Sequence, residues 1–163
     1  MPVYNLHERR LPVPAERAAP LLDGLSGERD LLWPVEHWPP MRFDGPLAVG
    51  ADGGHGPVRY AVEEYIPGRL VRFRFRAPRG FDGIHEFTVH PSASGGTVLR
   101  HLLAMRTTGP ARLSWPLVFR HLHDACLEDC FDRAERTLTG TVGSPAHWNR
   151  YTRLLHAVLA RIR

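Results

Sequence analysis

The sequence predicts an α+β fold in which an antiparallel sheet packs on one long helix. Two patterns carry this. Between residues 58 and 106, four runs alternate apolar and polar side chains with period two, separated by short turns. Residues 112–138 then carry an apolar stripe at spacings of three and four, including Trp115, Phe119, Leu122, Cys126 and Cys130. A length of 163 residues suits one domain with a full core.

The elements follow in chain order. Residues 3–11 alternate loosely and read as a first strand, ended by Pro12 and Pro14. Residues 15–22 form a short helix, with Pro14 at its start and Gly24 at its stop. A second helical turn is expected at 27–32. The stretch from Trp33 to Phe43 mixes prolines with aromatics and excludes regular structure. A short strand is expected at 47–49, then a glycine loop at 50–56. The meander comprises 58–66, 70–76, 81–90 and 97–106. The long helix takes Pro116 into its first turn and ends at Gly140. A last helix is expected at 145–162, so residues 1–140 read as the domain and 141–163 as a helical extension.

The turns set a register that side-chain chemistry can check. Centring the pairs on Pro67-Gly68, 77–80 and 91–96 lines up Glu63, Arg72, Glu86 and Arg100 in one row of alternating sign. Such a row should face water. The opposite face then carries Tyr60, Phe75 and Leu103; Val62, Phe73, His85 and His101; and Glu64, Val71, Phe87 and Leu99. It is mostly apolar and needs the helix as its cover.

Composition excludes several functions. All 21 basic residues are arginine, and the net charge is 21 − 17 = +4. The arginines are scattered and not interleaved with aromatics, so no nucleic-acid partner is expected. No apolar run reaches 18 residues, so no membrane span is expected. Cys126 and Cys130 stand four apart on one helix face and cannot bridge each other; reduced thiols and a cytoplasmic location are expected. No nucleophile or phosphate-loop motif is present.

This order of elements resembles the START/Bet v1-like superfamily, and within it the bacterial polyketide cyclase/dehydrase-like branch. The stretches that carry the resemblance are WPVEHWPPM, GPVRYAVEEYIPGRLVRFRF, GIHEFTVHP, GGTVLRHLLAM and FRHLHDACLEDCFDRAERTL. They cover about residues 3–138, and the final helix goes beyond the usual pattern. The resemblance implies a helix-grip fold with a cavity between sheet and helix. It also implies binding or carriage of an apolar small molecule, aromatic or lipid-like. The alternative is a cyclase or dehydratase acting on a carbonyl substrate.

His85 and His101 are the acid–base candidates, because neutral imidazoles on the inner face can donate, accept and pass protons. The remaining cavity candidates are Tyr60, Val62, Phe73, Phe75, Phe87, Leu99 and Leu103 from the sheet. Trp115, Phe119 and His123 join them from the helix, and Trp38 and Met41 from the proline-rich wall. Glu64 either lines the cavity or sits at its rim, bonded to water. His123, Cys126 and Cys130 share a helix face, yet the close ligand pairs of a zinc site are missing, so neither metal nor cofactor is expected. His121, Asp124 and Glu128 read as solvated charges, and Gly53-Gly54-His55-Gly56 reads as a loop. The last helix carries Trp148, Tyr151, Leu155, Val158, Leu159 and Ile162. It is expected to pack on its own domain or to pair two copies as a homodimer, rather than to lie on a membrane.

Overall fold

The structure is a computed structural model that describes residues 1–161. Seven strands form one antiparallel sheet: β1 Pro2–Leu11, β2 Arg42–Phe43, β3 Asp52–His55, β4 Val58–Ile66, β5 Leu70–Ala77, β6 Phe81–Pro91 and β7 Thr97–Thr107. Their order is β1-β7-β6-β5-β4-β3-β2. Thus β1 pairs beside β7, and the four alternating runs stand as a meander at the centre. Helix α1, Ala15–Asp23, follows β1. The long helix runs as α2 Ala111–Ser114, a π-helical turn Trp115–Phe119, and α3 Arg120–Thr139. Helix α4 spans Arg150–Arg161. This is a helix-grip fold.

Pro116 explains the π turn. It has no N–H to return to the carbonyl four residues back, and its ring crowds that carbonyl. The helix widens by one residue instead, and the Arg120 N–H bonds the Trp115 carbonyl, five residues back. Gly140 closes α3 in the left-handed conformation, φ 82°, with its N–H on the Arg136 carbonyl.

Several expectations need correction. Residues 27–32 form no helical turn; the Asp30 carboxylate accepts the N–H groups of Ser26, Leu32 and Trp33 and shapes a loop. Residues 47–49 form no strand, and the supposed glycine loop instead contains β3. A Cβ on Gly53 would stand 2.1 Å from the Arg42 carbonyl, and one on Gly54 2.0 Å from that of Val58. The glycines therefore let β2, β3 and β4 approach. The last helix begins at Arg150, where the Asn149 Oδ1 accepts the Thr152 N–H as an N-cap. Its expected end, including Ile162, lies outside the described residues.

The sheet register is right for β5–β6, with Arg72 opposite Glu86 and Phe73 opposite His85. Between β6 and β7 it is displaced by two residues, so His85 faces Leu103 and Phe87 faces His101. A displacement of two keeps each side chain on its face. In β4 a bulge between Val62 and Glu64 inserts one residue and reverses the parity beyond it. Glu64 consequently points outward to Arg72 at 2.6 Å, and Tyr65 takes the inner face opposite Val71. The expected row of four charges is therefore broken up. Arg72 joins Glu86 and Glu64, Glu63 turns to Arg74, and Arg100 pairs with Glu8 of β1. Glu86 is only 8% exposed rather than open to water.

The core divides in two. The larger cluster includes Leu21, Leu22, Trp33, Trp38, Phe73, Phe87, Cys130 and Phe131. A smaller one gathers Phe81, Leu103, Met105, Ala111 and Trp115. Helix α4 packs on α3. Trp148 lies against Trp38 at 5.4 Å between ring centroids and donates its Nε1–H to Asp129, and Thr152 is buried. Tyr151 and Val158, expected in the packed stripe, are exposed instead, because the inner face runs through Thr152, Leu155, His156 and Leu159.

Candidate functional site

A cavity of about 150 Å³ lies between the sheet and the long helix, with residues of both core clusters in its wall. Strand parity aims Phe75, Phe81, His85, Phe87, His101 and Leu103 into it from β5, β6 and β7. The π turn contributes Trp115, Val118 and Phe119, and α3 contributes Leu122, His123, Cys126 and Leu127. Trp33, Trp38, Pro39, His55, Pro57 and Val58 close one end, together with Leu159 of α4. The wall segment at 33–39 is fixed to α3. Trp38 donates to Asp129 at 2.8 Å, and Arg133 reaches both Glu36 and the Asp30 carbonyl.

Trp38, Phe75, His85, Phe87, His101, Leu103, Trp115, Phe119 and His123 thus stand in the wall. Six other sequence candidates do not. Val62, Phe73 and Tyr60 are sealed within the sheet face, with Phe43 stacked on Phe73 at 5.8 Å. Met41 and Leu99 are buried in the main cluster, and the bulge turns Glu64 away. Sequence reasoning missed His55, which the glycine-built β3 places over Tyr60 and Trp33. Phe81 was legible, since it shares the parity of His85.

Imidazoles give the apolar wall its polar character. His85 Nδ1 lies 3.3 Å from His101 Nε2, and His55 Nδ1 lies 2.9 Å from the Tyr60 hydroxyl. The His101 ring stands 5.1 Å from that of His123, which stands 6.1 Å from that of His7. Burial pushes His85 and His101 well below the ordinary imidazole range, and nearby histidines add to the shift. It lowers His55 to about 3 and also lowers His123. These rings are therefore neutral at pH 7. His85 Nε2, His101 Nδ1 and both nitrogens of His123 are buried without a hydrogen-bond partner among the described residues. Buried polar atoms are normally satisfied, so these nitrogens stand out among the otherwise apolar lining.

The β1–α3 seam is charged, contrary to the reading of Asp124 and Glu128 as solvated. Asn5 donates to Asp124, His7 sits between Asp124 and Glu128, and Arg9 spans Glu128, Asp132 and Glu135. Burial opposes the charge on His7, but the two carboxylates outweigh it and push its pKa up to about 9. Cys126 and Cys130 are buried free thiols. No helix among the described residues is long and apolar enough to cross a membrane.

No family model and no curated protein matches the chain. Solved structures do. CalU16 from Micromonospora echinospora is 15% identical, with a TM-score of 0.60, covering 98% of this chain and 87% of that one. Truncated norcoclaurine synthase from Thalictrum flavum is 12% identical, with a TM-score of 0.65, covering 87% and 96%. Ara h 8.0201 is 13% identical, with a TM-score of 0.61, covering 86% and 100%. At these identities the likeness establishes a shared fold, the helix-grip fold, and no more.

Proposed function

We propose that the protein binds a small apolar molecule of about one aromatic ring, carrying a polar group that meets the cavity imidazoles. The supporting observation is an aromatic-walled space of about 150 Å³ bordered by unpartnered imidazole nitrogens. A dry apolar cavity of roughly 150 Å³ accommodates benzene, so this space suits a single ring better than a lipid chain. Norcoclaurine synthase has been solved with dopamine and hydroxybenzaldehyde, which are ligands of that size. The free thiols fit a reducing compartment such as the cytoplasm.

Trp33, Trp38 and Trp115 stand in the wall and make the ligand visible. Phenol, benzaldehyde and aniline should change the intrinsic fluorescence saturably, whereas cyclohexane derivatives lacking a polar group should bind more weakly. Uniformly linear quenching by all of them would reject the reading.

The His85–His101 contact favours a second reading, acid–base turnover of a carbonyl substrate. Neutral imidazoles of lowered pKa are poor general acids in the unliganded protein, which places binding ahead of catalysis. Turnover abolished in a His85→Leu, His101→Leu double variant that still binds ligand would reverse that order.

A further inference from the structure

We propose that His7, His123 and Asp124 form a divalent transition-metal site, with zinc the ion that this donor set suits best. The sequence puts His7 far from the adjacent His123 and Asp124; packing β1 against the helix brings them together. His7 Nε2 lies 3.2 Å from Asp124 Oδ1, and His123 Nδ1 lies 3.5 Å from the same oxygen. All three ligand atoms fall within 4.8 Å of one another. A tetrahedral ion with bonds of about 2.0–2.1 Å holds its ligand atoms roughly 3.3–3.4 Å apart. The two approaches to Asp124 Oδ1 therefore already have nearly the right length, and the two histidines need close on each other only slightly.

Two independent observations point to an ion. First, His123 Nε2 is buried and unpartnered among the described residues, and its Nδ1 has only the long 3.5 Å approach to Asp124 Oδ1. Second, the nitrogen of His7 that does not face Asp124 is already held. Its Nδ1 bonds Glu128 Oε1 at 2.8 Å, and Arg9 grips Glu128 in turn at 3.1 Å. A carboxylate behind a ligating histidine fixes the tautomer and raises the basicity of the ligand. Asn5 likewise orients the Asp124 carboxylate from 2.9 Å. A salt bridge of Asp124 to protonated His7 would account for His7 but would leave His123 Nε2 unexplained.

Three protein ligands leave a fourth position. His123 is also a wall residue of the cavity, so the metal seat adjoins the ligand space through that residue. This last point rests on the binding function proposed above; the seat itself does not.

The test uses untagged full-length protein, stripped with chelator and without any aromatic ligand, so failure of the binding proposal leaves it intact. Zn²⁺ should bind one ion per chain by calorimetry, and Co²⁺ should develop the intense visible bands of four-coordinate cobalt. His123→Leu should abolish both, with far-ultraviolet circular dichroism confirming that the variant is folded, since His123 gives up only a long contact with Asp124. Glu128→Gln should weaken binding about 10–100-fold. No uptake by the parent protein, or uptake unchanged in His123→Leu, would overturn the proposal.

Discussion

Acidification should unfold this protein earlier than its carboxylates alone would dictate. His55, His85 and His101 are neutral in the folded chain because burial lowers their pKa values, while the unfolded chain protonates each near pH 6.5. Below that pH the unfolded state binds more protons, so stability falls as pH falls, by about 1.4 kcal/mol per pH unit per histidine. From pH 8 to pH 5 each loses roughly 2 kcal/mol, about 6 together. His7 acts oppositely. Its pKa is raised to about 9, so its contribution is full below 6.5 and is lost as pH rises towards 9. Over the same interval it returns about 2 kcal/mol, leaving a net loss on the order of 4 kcal/mol, to which the lowered His123 adds in the same direction. That is a large share of the ~5–15 kcal/mol of a typical domain. Urea midpoints followed by far-ultraviolet circular dichroism at pH 8, 7, 6 and 5, in chelator, should fall steadily. The double variant His85→Leu, His101→Leu removes both partners of one contact and creates no new orphan there. With only His55 and His123 left to oppose His7, its midpoint should fall much less steeply than the parent's. A parental slope retained in the double variant would refute the reasoning.

Other perturbations follow from single features. Leu103→Ala removes a wall side chain that is 1% exposed. It should cost about 2–5 kcal/mol in chemical denaturation and shift ligand preference towards larger rings. Arg9→Ala leaves Glu128, Asp132 and Glu135 facing one another half-buried. It should cost about 2 kcal/mol, below the ~3–5 of a fully buried pair, with high salt recovering part of the loss. Truncation after Gly143 removes α4 and the contacts of Trp148 and Leu159. It should lower the melting temperature and solubility, while the intact protein should not float with liposomes. Salt-sensitive flotation abolished by the truncation would assign α4 to a membrane instead.

Much of this architecture was legible because alternation fixes faces even when register slips. The loop at 91–96 closes with the Ser92 N–H on the Gly96 carbonyl, which displaced β6 against β7 by two residues without exchanging faces. The β4 bulge was not legible: no glycine marks Glu63, and only pairing with β5 shows that Glu64 turns out. Asn5, His7 and Arg9 read as a loosely alternating strand, because their inward polarity has meaning only beside the carboxylates of α3. His55 was hidden in a glycine run whose purpose is the close approach of three strands. The orphaned nitrogens of His85, His101 and His123 could not be found without coordinates, since sequence does not reveal which hydrogen bonds fail to form.

An aromatic molecule should occupy the space between sheet and helix. Intermolecular nuclear Overhauser effects between a bound single-ring ligand and assigned side-chain protons test it directly. A ligand in the cavity should give contacts from its ring to Phe75, Leu103 and Phe119, with His85 and His101 ring resonances shifting on saturation. Contacts confined to exposed side chains such as Leu113, Leu117 and Leu154, with those imidazoles unmoved, would contradict it.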